Sequence, residues 1–172
     1  TIFEAARENY RQNVLDIYMD CPGRERAGWL GDSYFTGRVE FGLTGKSRVE
    51  RNFIENFLLP EEFKDIDKGM LPMCYPADHR NHNYIPNWAM WFVLEMEEYL
   101  KRTGDRATIE RARTRIYNVG DYFTKYLNED GLLEKLDKWV FVDYSFSNKC
   151  VQDISYPSNM LYAEMLDVVA RL

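Results

Sequence analysis

The chain has 172 residues, enough for one domain with a real hydrophobic core. Its net charge of −6, with no basic run, argues against nucleic acid and anionic membrane surfaces as partners. No apolar stretch approaches the roughly 18–20 residues of a membrane-spanning helix; the longest, 88–94, is far too short.

Helical periodicity dominates the chain. Ile2, Phe3, Ala6, Tyr10, Val14, Ile17 and Tyr18 recur three or four apart and predict a helix from Ile2 to Met19. A polar, glycine-rich stretch follows. Asp32 then suits the cap of a helix over Ser33–Leu43, which Thr44-Gly45 ends. Ser47 opens the next helix, with Val49, Phe53, Ile54, Phe57 and Leu58 on one face and Pro60 beyond its end. A long connection, 61–85, contains Gly69, Pro72 and Pro76 and reads as an ordered, packed loop.

Pro86 suits the first turn of a helix Asn87–Arg102, which is apolar nearly all round at its start and so reads as an inner helix. Gly104 ends it, and Asp105 caps a charged outer helix from Arg106 to about Leu127. Leu132–Leu136 and Trp139–Tyr144 suggest a short β-hairpin around Asp137-Lys138. Pro157 or Ser158 opens the last helix. Very apolar helices alternating with charged ones predict an all-α fold of stacked hairpins, an α/α toroid or solenoid, with about seven helices. No fixed-period repeat is visible, which disfavours a repeat array. Both ends fall inside helices, so we expect these residues to be part of a longer protein. Cytoplasmic, periplasmic and secreted locations all stay open.

The stretch Asp20-Cys21-Pro22-Gly23-Arg24-Glu25-Arg26-Ala27-Gly28-Trp29-Leu30-Gly31-Asp32 is the densest in chemistry. It supplies carboxylates for proton transfer and for holding hydroxyls, a tryptophan for a sugar face, and glycines for close approach. A glycosidase needs one carboxylic acid to protonate the leaving oxygen and a second carboxylate to activate water or attack the sugar. Neighbouring carboxylates raise the pKa of such an acid, whereas adjacent Arg24 and Arg26 lower that of Glu25. The residues alone leave two readings open: a sugar site, or a loop in which Asp32 caps a helix and Glu25 pairs with arginine.

This stretch resembles the signature of the bacterial α-L-rhamnosidases, inverting enzymes of the six-hairpin glycosidase clan. Gly69-Met70-Leu71-Pro72-Met73-Cys74-Tyr75-Pro76-Ala77-Asp78, Pro86-Asn87-Trp88-Ala89 and Tyr156-Pro157-Ser158-Asn159-Met160-Leu161-Tyr162-Ala163 are similar to the same family, so the resemblance spans nearly the whole chain. It implies about half of an (α/α)6 barrel, with residues 1–172 as the N-terminal portion of the catalytic domain. It also implies release of terminal α-L-rhamnose from polysaccharides or glycosides with inversion. Glu25 matches the general acid, Asp20 and Asp32 the residues holding rhamnose hydroxyls, and Arg24 and Trp29 the arginine and aromatic beside them. The family's general base lies further along than Leu172, so the rest of the chain would complete the barrel. The scheme uses no metal and no cofactor. Two alternatives remain: a non-catalytic carbohydrate-binding toroid, or a six-hairpin glycosidase for another sugar.

Outside the signature, Asp143 follows the aromatic run Trp139-Val140-Phe141-Val142 and is expected to line the sugar pocket or to form a turn; Asp153 is a weaker candidate. His79 and His82 beside Asp78 give weak support for a metal. Cys74 with His79 lacks an orienting third group for thiol catalysis. Cys21, Cys74 and Cys150 form neither a disulfide framework nor a CxxC pair. Trp91 suits core packing, whereas Trp88, at a helix start, is placed to face a cleft.

Overall fold

The computed structural model describes residues 1–76, 82–146 and 153–172. Among them are α1 (Ile2–Asn13), α2 (Leu30–Thr44), α3 (Arg48–Leu58), α4 (Pro86–Thr103), α5 (Arg106–Phe123) and α6 (Tyr156–Arg171), with a 3-10 turn at Thr124–Tyr126. The helices form two layers. In one, α4 lies between α2 and α6; in the other, α3 and α5 pack on each other and back the first layer. The pairs α2–α3 and α4–α5 are successive hairpins, the order expected for part of an α/α toroid. Having neighbours on both sides, α4 is apolar nearly all round: Ala89, Met90, Phe92, Val93 and Met96 are all fully buried.

α1 stops at Asn13, six residues short of the predicted end at Met19. Asn13 turns its side-chain amide back onto the Asn9 carbonyl (3.0 Å), and Val14 is extended and pairs with Tyr18. The turn carries Tyr18 into the core, where its hydroxyl donates to Glu40. The same Glu40 accepts from the backbone N–H groups of Val49 (3.1 Å) and Glu50 (2.9 Å). A carboxylate from α2 thus caps α3, and the Ser47 side chain takes no part in that cap.

α2 begins at Leu30, earlier than predicted, with Trp29 in the N-cap position. Asp32 is therefore not a cap. It lies in the first turn, where the partial positive charge of the helix end favours a carboxylate. The expected hairpin does not form either. Leu133 bridges Leu127 and Glu134 bridges Ile154. The segment's donors are already engaged: Leu133 N–H donates to Asn159 Oδ1 (2.7 Å) and Lys135 N–H to the Asp153 carbonyl (2.6 Å). Trp139 N–H instead donates to the Tyr84 carbonyl (3.1 Å), which folds the aromatic run against the start of α4. α6 opens at Tyr156, just before the expected Pro157 or Ser158, with Ser155 as its cap.

Asp105 caps α5 as predicted, accepting from Thr108 N–H (3.1 Å) and Thr108 Oγ1 (2.7 Å), with Tyr99 donating to the same carboxylate (2.8 Å). The Thr108 hydroxyl first, and then Tyr99, hold this carboxyl below the usual range against burial. Asp105→Ala should cost roughly 0.5–2 kcal/mol in chemical denaturation at neutral pH. The sign follows from the depressed pKa: the contribution is present above the unfolded value and is lost as pH falls through the lower folded one. The stability difference between the two proteins should therefore narrow in acid.

Candidate active site

The signature loop is closed on itself. Asp20 N–H donates to the Ala27 carbonyl (3.1 Å), and Ala27 N–H returns a bond to Asp20 Oδ1 (3.0 Å). Cys21 Sγ accepts from Arg24 N–H (3.4 Å), so this thiol is an internal brace, and it is half-buried rather than fully enclosed. Behind the loop, Leu30 N–H donates to the Met73 carbonyl (3.0 Å) and Tyr75 N–H to that of Gly28 (3.1 Å). This short antiparallel pairing fixes the loop to the long connection. It also explains Gly28, where a Cβ would fall 2.6 Å from the Tyr75 carbonyl oxygen and 2.9 Å from the Phe53 ring.

A cleft of about 250 Å³ opens in front of the loop, lined by Asp20, Arg24, Glu25, Trp29, Asp32, Ile85, Trp88, Trp139, Phe141 and Tyr144. The structure thus brings together Glu25, Asp20, Arg24, Trp29 and Asp32 from the signature, and adds Trp88 from the start of α4. Asp143 does not join them. It is exposed, and its carboxylate accepts from Ser145 N–H (2.6 Å) in a turn of its own. That turn breaks the strand-like alternation, and Tyr144, itself 87% exposed, joins the lining through its contact with Phe141. Asp153 is exposed and lies outside the cleft lining. Of the polar string Asp78-His79-Arg80-Asn81-His82, only His82 is among the described residues, and it is exposed. Cys150 also lies outside the described residues.

One wall of the cleft is aromatic. Trp88 stacks on Phe141 (5.6 Å between centroids, 29° between planes), and Phe141 meets Trp139 and Tyr144 edge-on. Such faces suit the apolar C–H surface of a sugar ring. Trp91, by contrast, packs on Tyr34 and Phe35, away from the cleft. The Trp88 ring lies directly over Gly31, where a Cβ would fall 1.6 Å from the indole. Only glycine in the first turn of α2 lets the indole settle there.

The other wall is acidic. The Asp20 and Glu25 side chains are hydrogen-bonded to each other, so two carboxyls meet at one edge of the cleft. Burial works to raise the Asp20 pKa. The bonds from Glu25 and the Cys21 thiol, with those from the Ala27 and Cys21 backbone, outweigh it and hold Asp20 below the usual range. Arg24 Nη2 lies 2.5 Å from Glu25 Oε1 on the solvent side. Asp32 is pushed up, first by burial and then by the charge on Asp20. Cys74, buried behind the loop, has its thiol pushed up to about 12 by burial and by the Asp20 and Glu25 charges, so it is no nucleophile at neutral pH.

Asp20, Cys21 and Glu25 place ligand atoms within 4.8 Å of one another. The Arg24 guanidinium beside Glu25 opposes a cation there.

A comparison with curated proteins gives no match. Among solved structures, the chain is similar to the crystal structure of a GH78-family rhamnosidase of Bacillus sp. GL1, with a TM-score of 0.84 and 21% identity. The match covers 97% of this chain and 17% of the Bacillus chain, so this chain spans a small part of that protein. At that identity the likeness speaks for the fold. The family model of the bacterial alpha-L-rhamnosidase six-hairpin glycosidase domain matches residues 1–172. Matched along its entire length, the chain belongs to the bacterial α-L-rhamnosidase six-hairpin glycosidase family.

Proposed function

We propose that these residues form the acid half of a glycoside hydrolase active site that releases terminal α-L-rhamnose with inversion. The observation that carries the reading is the hydrogen-bonded Asp20–Glu25 pair at the edge of an aromatic-walled cleft. Glu25 stands beside the Asp20 carboxyl and the Arg24 guanidinium at the cleft edge, and its protonated form is the acid that bond cleavage needs. Glu25 protonates the glycosidic oxygen as the bond to the sugar breaks. Asp20 and Asp32 accept hydrogen bonds from sugar hydroxyls, Trp29 and Trp88 cover its apolar face, and Arg24 lies against the Glu25 carboxyl on the solvent side.

Inversion requires a second carboxylate about 6.5–9.5 Å from the acid, with room for a water between them. Asp20 is in hydrogen-bond contact with Glu25 and is too close for that task. We assign the base to a segment outside these 172 residues, in helices that complete the toroid. A groove of about 590 Å³ along α4 and α6 supports that completion, with Trp91, Leu94, Met160 and Leu161 in its lining and Met160 75% exposed.

The test is the anomer first released from an aryl α-L-rhamnoside by the full-length protein, followed by proton NMR. The β-anomer should appear first and then mutarotate. Initial release of the α-anomer would overturn the inverting mechanism, and no release of rhamnose would overturn the substrate.

A further inference from the structure

Glu95 of α4 is completely buried, seven residues after Trp88 on the face that meets α2. Its Oε2 lies 2.8 Å from Ser33 Oγ, and that same Oγ lies 2.7 Å from the Leu30 carbonyl oxygen. A serine hydroxyl has one hydrogen and cannot donate to both oxygens. A carbonyl oxygen is acceptor only, so both contacts carry a full hydrogen bond when Ser33 donates to Leu30 and Glu95 donates to Ser33. The other carboxyl oxygen, Oε1, is buried with no hydrogen-bond partner among the described residues. A neutral acid tolerates such an orphan far better than a carboxylate does.

The charged neighbours agree. From α3, Glu50 faces Glu95; from α4 itself, Arg102; from the loop before α2, Tyr18; and from α2, Glu40, which takes the Tyr18 hydroxyl. The Arg102 guanidinium is paired with Glu50 and with Glu98 (3.3 Å), and its lowering effect on Glu95 ranks below burial and the Glu50 charge. Burial, followed by the Glu50 charge, pushes the Glu95 carboxyl far above the usual range.

We propose that Glu95 is a positioning residue held as a neutral acid, and that its O–H, through Ser33 to the Leu30 carbonyl, clamps the first turn of α2. That turn carries Trp29 at its start, Gly31 beneath Trp88, and Asp32 in the cleft. The proton on Glu95 thereby fixes one wall of the cleft without touching any ligand. The clamp stands on geometry alone and holds whatever the cleft binds.

The sign of the pH effect follows from linkage. The unfolded chain gives up the Glu95 proton above about pH 4.3, whereas the folded chain keeps it. The contribution of Glu95 to stability therefore declines as pH rises from there until folded Glu95 itself ionises. Glu95→Gln keeps a neutral donor to Ser33 and removes the titration. In the full-length protein this variant should fold. Its folding constant should gain on that of the unaltered protein by about tenfold per pH unit above that point. The infrared difference between the two at pH 8 should show the C=O band of a protonated carboxylic acid. Glu95→Ala should shift tryptophan emission to the red, and Glu95→Gln should not. A missing acid band, a stability difference that is flat with pH, or a Glu95→Gln protein that fails to fold would each overturn the proposal.

Discussion

Glu25→Gln in the full-length protein should lower hydrolysis of a rhamnoside with a poor leaving group by about 10²–10⁴-fold, the usual contribution of a positioned general acid. The amide keeps a donor for Asp20, so the reciprocal Asp20–Ala27 bonds that close the loop survive. It has no acidic proton to give the departing oxygen. Rhamnosides with strongly activated aryl leaving groups need less protonation and should lose less. Measured across leaving groups, the deficit should grow with leaving-group pKa, while the melting temperature and the affinity for L-rhamnose stay near those of the unaltered protein. Near-normal turnover on the poor leaving group would remove Glu25 from its role. A uniform loss with weakened L-rhamnose binding would make Glu25 a sugar holder instead. Asp20 sets the acid limit of the loop. Its folded pKa is depressed, so the bond from Ala27 N–H to its anion persists through the ordinary aspartate range and fails only as pH falls through the lower folded value.

Gly31→Ala should be the most damaging small substitution in the cleft. The new Cβ would fall within 2 Å of the indole atoms Cζ3 and Cε3 of Trp88, far inside contact distance. The α2 backbone at this point is pinned by Leu30 N–H on Met73 and by Ser33 on Leu30, so the indole must move. Its displacement breaks the stack on Phe141 and disturbs the wall that Trp139 and Tyr144 share. Overpacking of this kind costs roughly 1–3 kcal/mol. We expect a lower denaturation midpoint, altered tryptophan emission, and a loss of ligand affinity exceeding any effect of Gly23→Ala, where a Cβ meets nothing within 4 Å. Equal behaviour of the two variants would mean that the indole does not rest on Gly31.

Much of this molecule is written locally. The inner character of α4 is visible in an unbroken run of large apolar residues, and the ends of α2 and α4 in Gly45 and Gly104, both left-handed at φ 70°. The signature loop is legible because its residues are neighbours in sequence and stay neighbours in space. What escaped the sequence depended on distant partners. The periodicity of α1 continues past Asn13, yet Tyr18 leaves the helix because Glu40 and the core offer its ring and hydroxyl a better place. The 132–144 stretch alternates like a hairpin, but Asn159, Asp153 and Tyr84 take the donors a hairpin would need. Asp143 was legible as part of a cleft segment, and the turn at Ser145 decides which of its residues face inward. Glu95 reads as an ordinary polar interruption in α4, since nothing in its neighbours tells of Ser33 sixty-two residues away.

A crystal structure of the full-length protein with L-rhamnose tests the central claim most directly. The sugar should lie in the cleft in front of the signature loop, its hydroxyls on Asp20 and Asp32, its ring against Trp29 or Trp88, and its anomeric oxygen within hydrogen-bond reach of Glu25. Rhamnose bound elsewhere, with this cleft holding only solvent, would contradict the account.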